Sequence, residues 1–256
     1  MFISDNFYLD GIHCDEIGVS LITLDNDIIN RYGLDFDREI TQHSEVNSNH
    51  IYFNEKDNVK SFVLNICPSI DNYRKWDRNL IDLVYNWVLQ DRFMPFISED
   101  DPYLTYYVKP IKIVKYFSSS MEGYLEITFQ PLSNYAYNLD VQDVTIEGEK
   151  IIKIDNISNI FDEYYYPIIE VENFSDGEDI IIENLSSDSE PMVISGLAKN
   201  EKIIIDNSMY VVTNDANENL LCLTNRKWLK LVKGINFIRI SGNCNILIKS
   251  EFPCFG

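Results

Sequence analysis

Residues 234–249 read GINFIRISGNCNILIK. Two apolar runs, residues 235–240 and 246–249, flank the dipeptide Gly242-Asn243. Short runs rich in β-branched and aromatic residues, bounded by turn formers, read as strands. The stretch therefore predicts two strands separated by a turn. The same rhythm extends upstream through residues 220–224, 210–213, 202–206, 191–197, 179–185 and 167–171. Turn signals stand between the runs at residues 214–219, 186–189 and Asp176-Gly177. Many short strands with polar turns predict an antiparallel sandwich or barrel. No helical pattern intervenes, which argues against a parallel α/β fold.

The front half reads differently. Leu80, Leu83, Val84, Trp87 and Val88 fall on the i, i+3, i+4, i+7, i+8 spacing of one buried helical stripe. Asp77 can cap the first turn by accepting its free amide protons, and Pro95 bars continuation. A helix is expected over residues 77–91. Leu125, Ile127 and Phe129 alternate with Glu126 and Thr128, as on a half-buried strand. Residues 106–108 and 111–116 read as two further short strands around Pro110. Residues 132–138 hold few aliphatics and follow Pro131, so the hinge between two domains is placed there, giving domains at 1–132 and 138–256. The fold class is mainly β.

Composition narrows the partners. The chain has 256 residues, a length for one large domain or two modest ones. Alanine occurs only at positions 136, 198 and 216, as suits strands better than helices. The formal net charge is −20, shared evenly: 11 basic and 21 acidic residues precede residue 132, and 10 and 20 follow. A field of that sign repels phosphate, so neither nucleic acid nor an anionic membrane surface is an expected partner. Cys14, Cys67, Cys222, Cys244 and Cys254 are scattered and odd in number, which predicts reduced thiols. The first residues, MFISDNFYLDG, carry acids and no long apolar core, so no signal peptide is expected, and no stretch approaches the roughly 20 apolar residues of a membrane span.

A search for chemistry yields no catalytic residue, metal site or cofactor site. The histidines are His13, His43 and His50. His13 and Cys14 are adjacent, and neighbours on a strand face opposite ways, which speaks against a dyad. His43 and His50 lie in a polar stretch, residues 41–50, that reads as a loop. Glu99, Asp100 and Asp101 form one acidic knot, and Asp176, Glu178 and Asp179 another. Either could offer oxygens to Ca²⁺, but neither has the EF-hand spacing, and both read as solvated turns. Tyr164-Tyr165-Tyr166 could stack on a sugar; packing is favoured, since adjacent strand residues cannot all face one ligand.

The order of several short motifs resembles one family. FYLDGI (residues 7–12) followed by IGV (17–19) resembles the opening of siphophage distal tail proteins, often called Dit. NLIDLVYNWVL (79–89), DDPYLTYYV (100–108) and GYLEITF (123–129) are similar to that family's helix, strand and closing strand, in order. YPIIEV (166–171), EKIIID (201–206) and KGINFIRISG (233–242) are similar to its C-terminal half. Residues 21–65 match least well.

The resemblance implies an N-terminal β-rich ring-forming domain with one helix and a C-terminal galectin-like antiparallel β-sandwich. It implies a homo-hexamer at the tail tip of a virion, assembled in the host cytoplasm, between the tail tube protein and the tail-associated lysin or tail-tip protein. Receptor-binding proteins or host cell-wall glycans would be further partners, and no enzymatic residues are carried over. On this reading residues 35–59 form a loop that serves as an arm onto a neighbouring subunit. The acid surplus suits a conduit through which DNA passes without sticking. The alternative function is a carbohydrate-binding module for host surface glycans, built on the back sandwich.

Overall fold

Even-numbered side chains turn inward along nearly the whole of residues 234–254, and that alternation passes through Gly242 without a break. In the computed structural model, which describes residues 4–22, 38–44, 51–57, 59–69, 75–159 and 164–255, the stretch is therefore a single strand. The chain divides into two compact units, residues 1–137 with 255–256, and residues 138–254.

The N-terminal unit holds strands β1 (Phe7–Leu9), β2 (Ile12–His13), β3 (Val19–Leu21), β4 (Arg38–Ser44), β5 (Ile51–Asp57), β6 (Phe62–Pro68), β7 (Met94–Ser98), β8 (Leu104–Phe117) and β9 (Gly123–Pro131). Its helices are the single turn α1 (Cys14–Ile17) and α2 (Arg78–Val88). Seven strands pair in the order β2-β1-β7-β8-β9-β6-β3, antiparallel at every step. Among the described residues β4 and β5 pair with each other alone, from Arg38 opposite Asp57 to Ser44 opposite Ile51. The loop expected over residues 35–59 is thus a hairpin where it is described, and His43 lies on a strand. His50 and residues 45–50 lie outside the described residues, as do 35–37 and 58.

α2 begins one residue later and ends three residues earlier than expected. The Asp77 side chain caps it, accepting the Leu80 amide at 2.7 Å. Its buried set is Leu80, Ile81, Val84, Trp87 and Val88, whereas Leu83 is exposed. The stripe is centred on Val84, and Leu83 lies about 100° around the helix from it, at the rim. Trp87 stacks on Phe7 at 5.6 Å, and its indole N–H donates to the Leu9 carbonyl at 3.0 Å, fastening the helix to β1. Pro110 does not divide two strands. β8 runs through it, and a register shift between Pro110 and Lys112 absorbs the residue that cannot donate to the ladder.

The C-terminal unit takes most of β10 (Ala136–Asn156), then β11 (Ile168–Asn173), β12 (Ile180–Asn184), β13 (Met192–Ile194), β14 (Lys202–Asp206), β15 (Val211–Thr213) and β16 (Gly234–Cys254). Residues 136–138, expected in a hinge, open β10, and the boundary between the units falls inside that strand. Residues 220–224 are not a strand either: Leu221–Leu223 form a 3-10 turn.

The Gly242-Asn243 turn is absent; what changes there is the partner. β16 pairs with β12 up to Ser241 and with β11 from Cys244 onward. Gly242 has φ +137°, and a Cβ on it would stand 3.2 Å from the Ile180 side chain, so glycine serves the changeover and not a reversal. β13 extends the first ladder through β12; β14 and β15 extend the second through β11.

Candidate functional site

His13 and Cys14 do not share a strand: β2 ends at His13 and α1 begins at Cys14. With Asp15 they form the one group of three or more potential metal-binding side chains among the described residues, their ligand atoms within 4.8 Å of one another. The geometry is that of a helix cap. His13 Nδ1 accepts the Asp15 amide at 3.3 Å, which leaves the proton on Nε2, 3.1 Å from the Glu99 carboxylate. The Cys14 thiol is fully buried, donates to the Asn6 side-chain oxygen at 3.7 Å, and has its pKa raised by burial. A thiol so placed is a poor nucleophile.

Burial also pushes the Cys244 thiol up to about 11. Of the five cysteines, Cys222 is exposed, Cys67 half-buried and the other three buried. Under native conditions at pH 8, iodoacetamide is expected to label Cys222 first and to leave Cys14, Cys244 and Cys254 intact until the protein is denatured. Peptide mass mapping of a time course checks this; early labelling of Cys244 would contradict it.

Both acidic knots serve turns. Asp100 accepts the Ser98 hydroxyl at 3.0 Å, and Asp101 accepts the Tyr103 amide at 3.4 Å. Asp176 accepts the Lys199 amide at 2.8 Å, and Glu178 the Ser175 hydroxyl at 2.7 Å.

The tyrosine run divides. Tyr165 packs inward on Phe252, with centroids 4.8 Å apart, as expected. Tyr164 and Tyr166 turn the other way. The Lys230 ammonium sits 3.9 Å above the exposed Tyr164 ring, and Tyr166 meets Tyr210 edge-on at 6.3 Å. Tyr210 in turn lies 5.4 Å from Trp228. Tyr166, Tyr210 and Trp228 line a cleft of about 330 Å³ whose remaining wall is polar, with Arg226, Lys230 and Asp188. Lys227 and Glu190, also in the lining, pair with each other at 2.9 Å. Among the described residues, no ion pair engages Arg226.

Buried asparagines hold the cleft together. Asn207, with no exposed surface, donates to the Pro167 carbonyl at 2.7 Å and accepts the Leu229 amide at 2.8 Å. It thereby ties the segments carrying Tyr166 and Trp228 to the turn that carries Tyr210. That turn is fixed by Asp206, which accepts the amides of Ser208 and Met209 at 2.9 Å each. Burial works to raise the Asp206 pKa, but these hydrogen bonds and one from the Ser208 hydroxyl outweigh it and hold it below the usual carboxylate value. Asn184 donates to the Lys230 carbonyl at 2.7 Å and to Asn236 at 2.9 Å.

Two lining residues are held in an unusual backbone conformation. Six non-glycine residues take positive φ among the described residues, and three are Asn or Asp, which tolerate it. The others are Met121, Tyr210 at φ +58° and Arg226 at φ +60°. Each such residue costs about 1–2 kcal/mol relative to right-handed backbone.

Of solved structures, the chain is similar to the Dit protein of phage SPP1, a hub of the adsorption apparatus in phages that infect Gram-positive bacteria: TM-score 0.61, 10% identity, 96% of this chain and 98% of that one. It is also similar to a chain of the phage p2 baseplate in its activated, strontium-bound conformation: TM-score 0.52, 11% identity, 96% and 97% covered. At these identities the likeness is one of fold. A curated relative, the SPbeta prophage-derived uncharacterized protein YomH of Bacillus subtilis (strain 168), is 26% identical over 203 residues, covering 77% of this chain and 78% of that protein.

The family itself is given by sequence. Residues 2–131 match the phage tail protein N-terminal domain, and residues 135–250 match the phage tail C-terminal domain of the same family. The chain belongs to this phage tail protein family, and the resemblance to distal tail proteins read from its motifs is borne out.

Proposed function

We propose that six copies of this chain close into a ring at the junction of tail tube and tail tip, in a virion assembled in the host cytoplasm. Residues 1–132 form the ring and residues 138–256 a galectin-like sandwich on its outside. The tail tube protein sits on one side, the tail-associated lysin or tail-tip protein on the other, and receptor-binding proteins attach at the periphery. The role is structural and not enzymatic.

The observation that carries the reading is the likeness to the SPP1 Dit hub along 96% of the chain. The β4–β5 hairpin supplies a means of assembly. Seven residues per strand reach about 23 Å. A two-stranded hairpin is marginal by itself in water and gains stability by packing on another surface. A surface on the next subunit, repeated head to tail, closes into a ring.

Replacing residues 38–57 by a short Gly-Ser linker is expected to leave a folded, soluble monomer, with the tryptophan emission of the intact chain. Native mass spectrometry and sedimentation, with and without co-expressed tail tube protein, read the assembly state. Rings that persist without the hairpin would refute the arm, and an intact chain that stays monomeric on its tube protein would refute the ring.

A further inference from the structure

We propose that the cleft between Tyr166, Tyr210 and Trp228 is a saccharide-binding site, which takes an uncharged pyranose ring on its aromatic wall. This goes beyond the ring, because the site lies wholly within the C-terminal unit and its occupancy is independent of assembly.

Three observations converge. The first is the wall: three aromatic rings from three separate segments border one cleft of about 330 Å³, with Tyr210 53% exposed. The C–H faces of a pyranose are apolar and pack on such rings, while its hydroxyls need partners at the edges. The second is the rim, which offers both kinds of partner. Arg226 and Lys230 donate, Asp188 accepts, and Lys227 is already matched to Glu190. Donors and acceptors side by side suit hydroxyl groups, which do both. With Lys227 matched to Glu190, the rim sets Arg226 and Lys230 against Asp188, a single positive charge in excess on a chain of formal charge −20, which gives a polyanion little net attraction.

The third observation is the backbone. Tyr210 and Arg226 keep bulky side chains where glycine would relieve the chain, and both point their function at the same cleft. Conformational cost concentrated on one site marks a place where the side chain matters more than stability.

That conformation also supplies the test. Tyr210→Gly and Arg226→Gly remove a ring and a guanidinium while easing the backbone, so neither should harm the fold. The intact full-length protein is applied to an array of neutral hexose and N-acetylhexosamine oligosaccharides, with sulfated and phosphorylated counterparts alongside. Bound sugars are then titrated by calorimetry and by the fluorescence of Trp228. The expected result is binding of a neutral saccharide that changes little between 50 and 500 mM NaCl. Tyr210→Gly and Arg226→Gly should each weaken it about tenfold or more, with a melting temperature unchanged or raised. The proposal is overturned if the intact protein retains no neutral saccharide, or if affinity is unmoved in both glycine variants. It is equally overturned if only charged glycans bind and salt removes them.

Discussion

A Gly123→Ala variant is expected to lose the native packing of the N-terminal unit. Gly123 opens β9 with φ +141°, and a Cβ there would lie 1.9 Å from the Tyr116 carbonyl oxygen. No rotamer relieves this, because the backbone fixes where a Cβ stands and the oxygen it meets is itself backbone; one strand must move. The neighbours cannot follow cheaply. Trp76, 2% exposed, donates its indole N–H to the Gly123 carbonyl at 2.9 Å and its amide to the Met121 carbonyl at 3.0 Å, and it stacks on Phe117 at 5.4 Å. Shifting β9 breaks that anchor together with the β8–β9 register. The loss is at least about 3 kcal/mol, in the range of overpacked cores and strained backbone combined. Urea unfolding followed by tryptophan emission measures it. A midpoint equal to that of the natural chain would show that the turn can rearrange.

The second large effect belongs to Asn207. Asn207→Ala leaves the Pro167 carbonyl and the Leu229 amide buried and unpaired. At about 1–3 kcal/mol for each orphaned group, the C-terminal unit loses roughly 2–6 kcal/mol. Asn207→Asp keeps the acceptor for Leu229 but turns a carboxylate oxygen toward the Pro167 carbonyl, so it too destabilises at neutral pH. Trp228, the only tryptophan of this unit, reports the change directly. Unfolding of Asn207→Ala followed at Trp228 should precede that of Trp76 and Trp87 in the other unit. An unaltered Trp228 transition would show that water or a shifted loop replaces both bonds.

The sequence carried the helix and the strand content because both depend on local periodicity. α2 announced itself through Val84 and its neighbours one turn away, and only the rim residue Leu83 was misplaced. β14 matches its apolar run to the residue. Long strands fared worse. β10 was unread because residues 139–145 have no buried face: half-exposed and exposed side chains alternate, and no apolar period results. β16 was cut in two because Gly-Asn has the same composition in a turn as at a change of partner.

The cleft was illegible for a different reason. Its rings and charges come from four segments that only the fold brings together, and its scaffold is asparagine. Asn184 and Asn236 sit inside runs read as strands and Asn207 between two of them, with nothing to mark them as interior, yet each is 2% exposed or less. Nothing local distinguishes an asparagine that caps a surface turn from one that satisfies buried backbone.

The continuity of β16 bears on how the C-terminal unit comes apart. One strand supplies an edge to the ladder begun by β12 and another to the ladder begun by β11. Neither ladder is a self-sufficient opening unit, since peeling one away strips amides from the strand on which the other rests. Partial melting that exposes sticky edges, the usual route to runaway stacking of β-proteins, is thereby suppressed in favour of all-or-none opening. For a phage tail protein, a module without soft intermediates is the more durable choice.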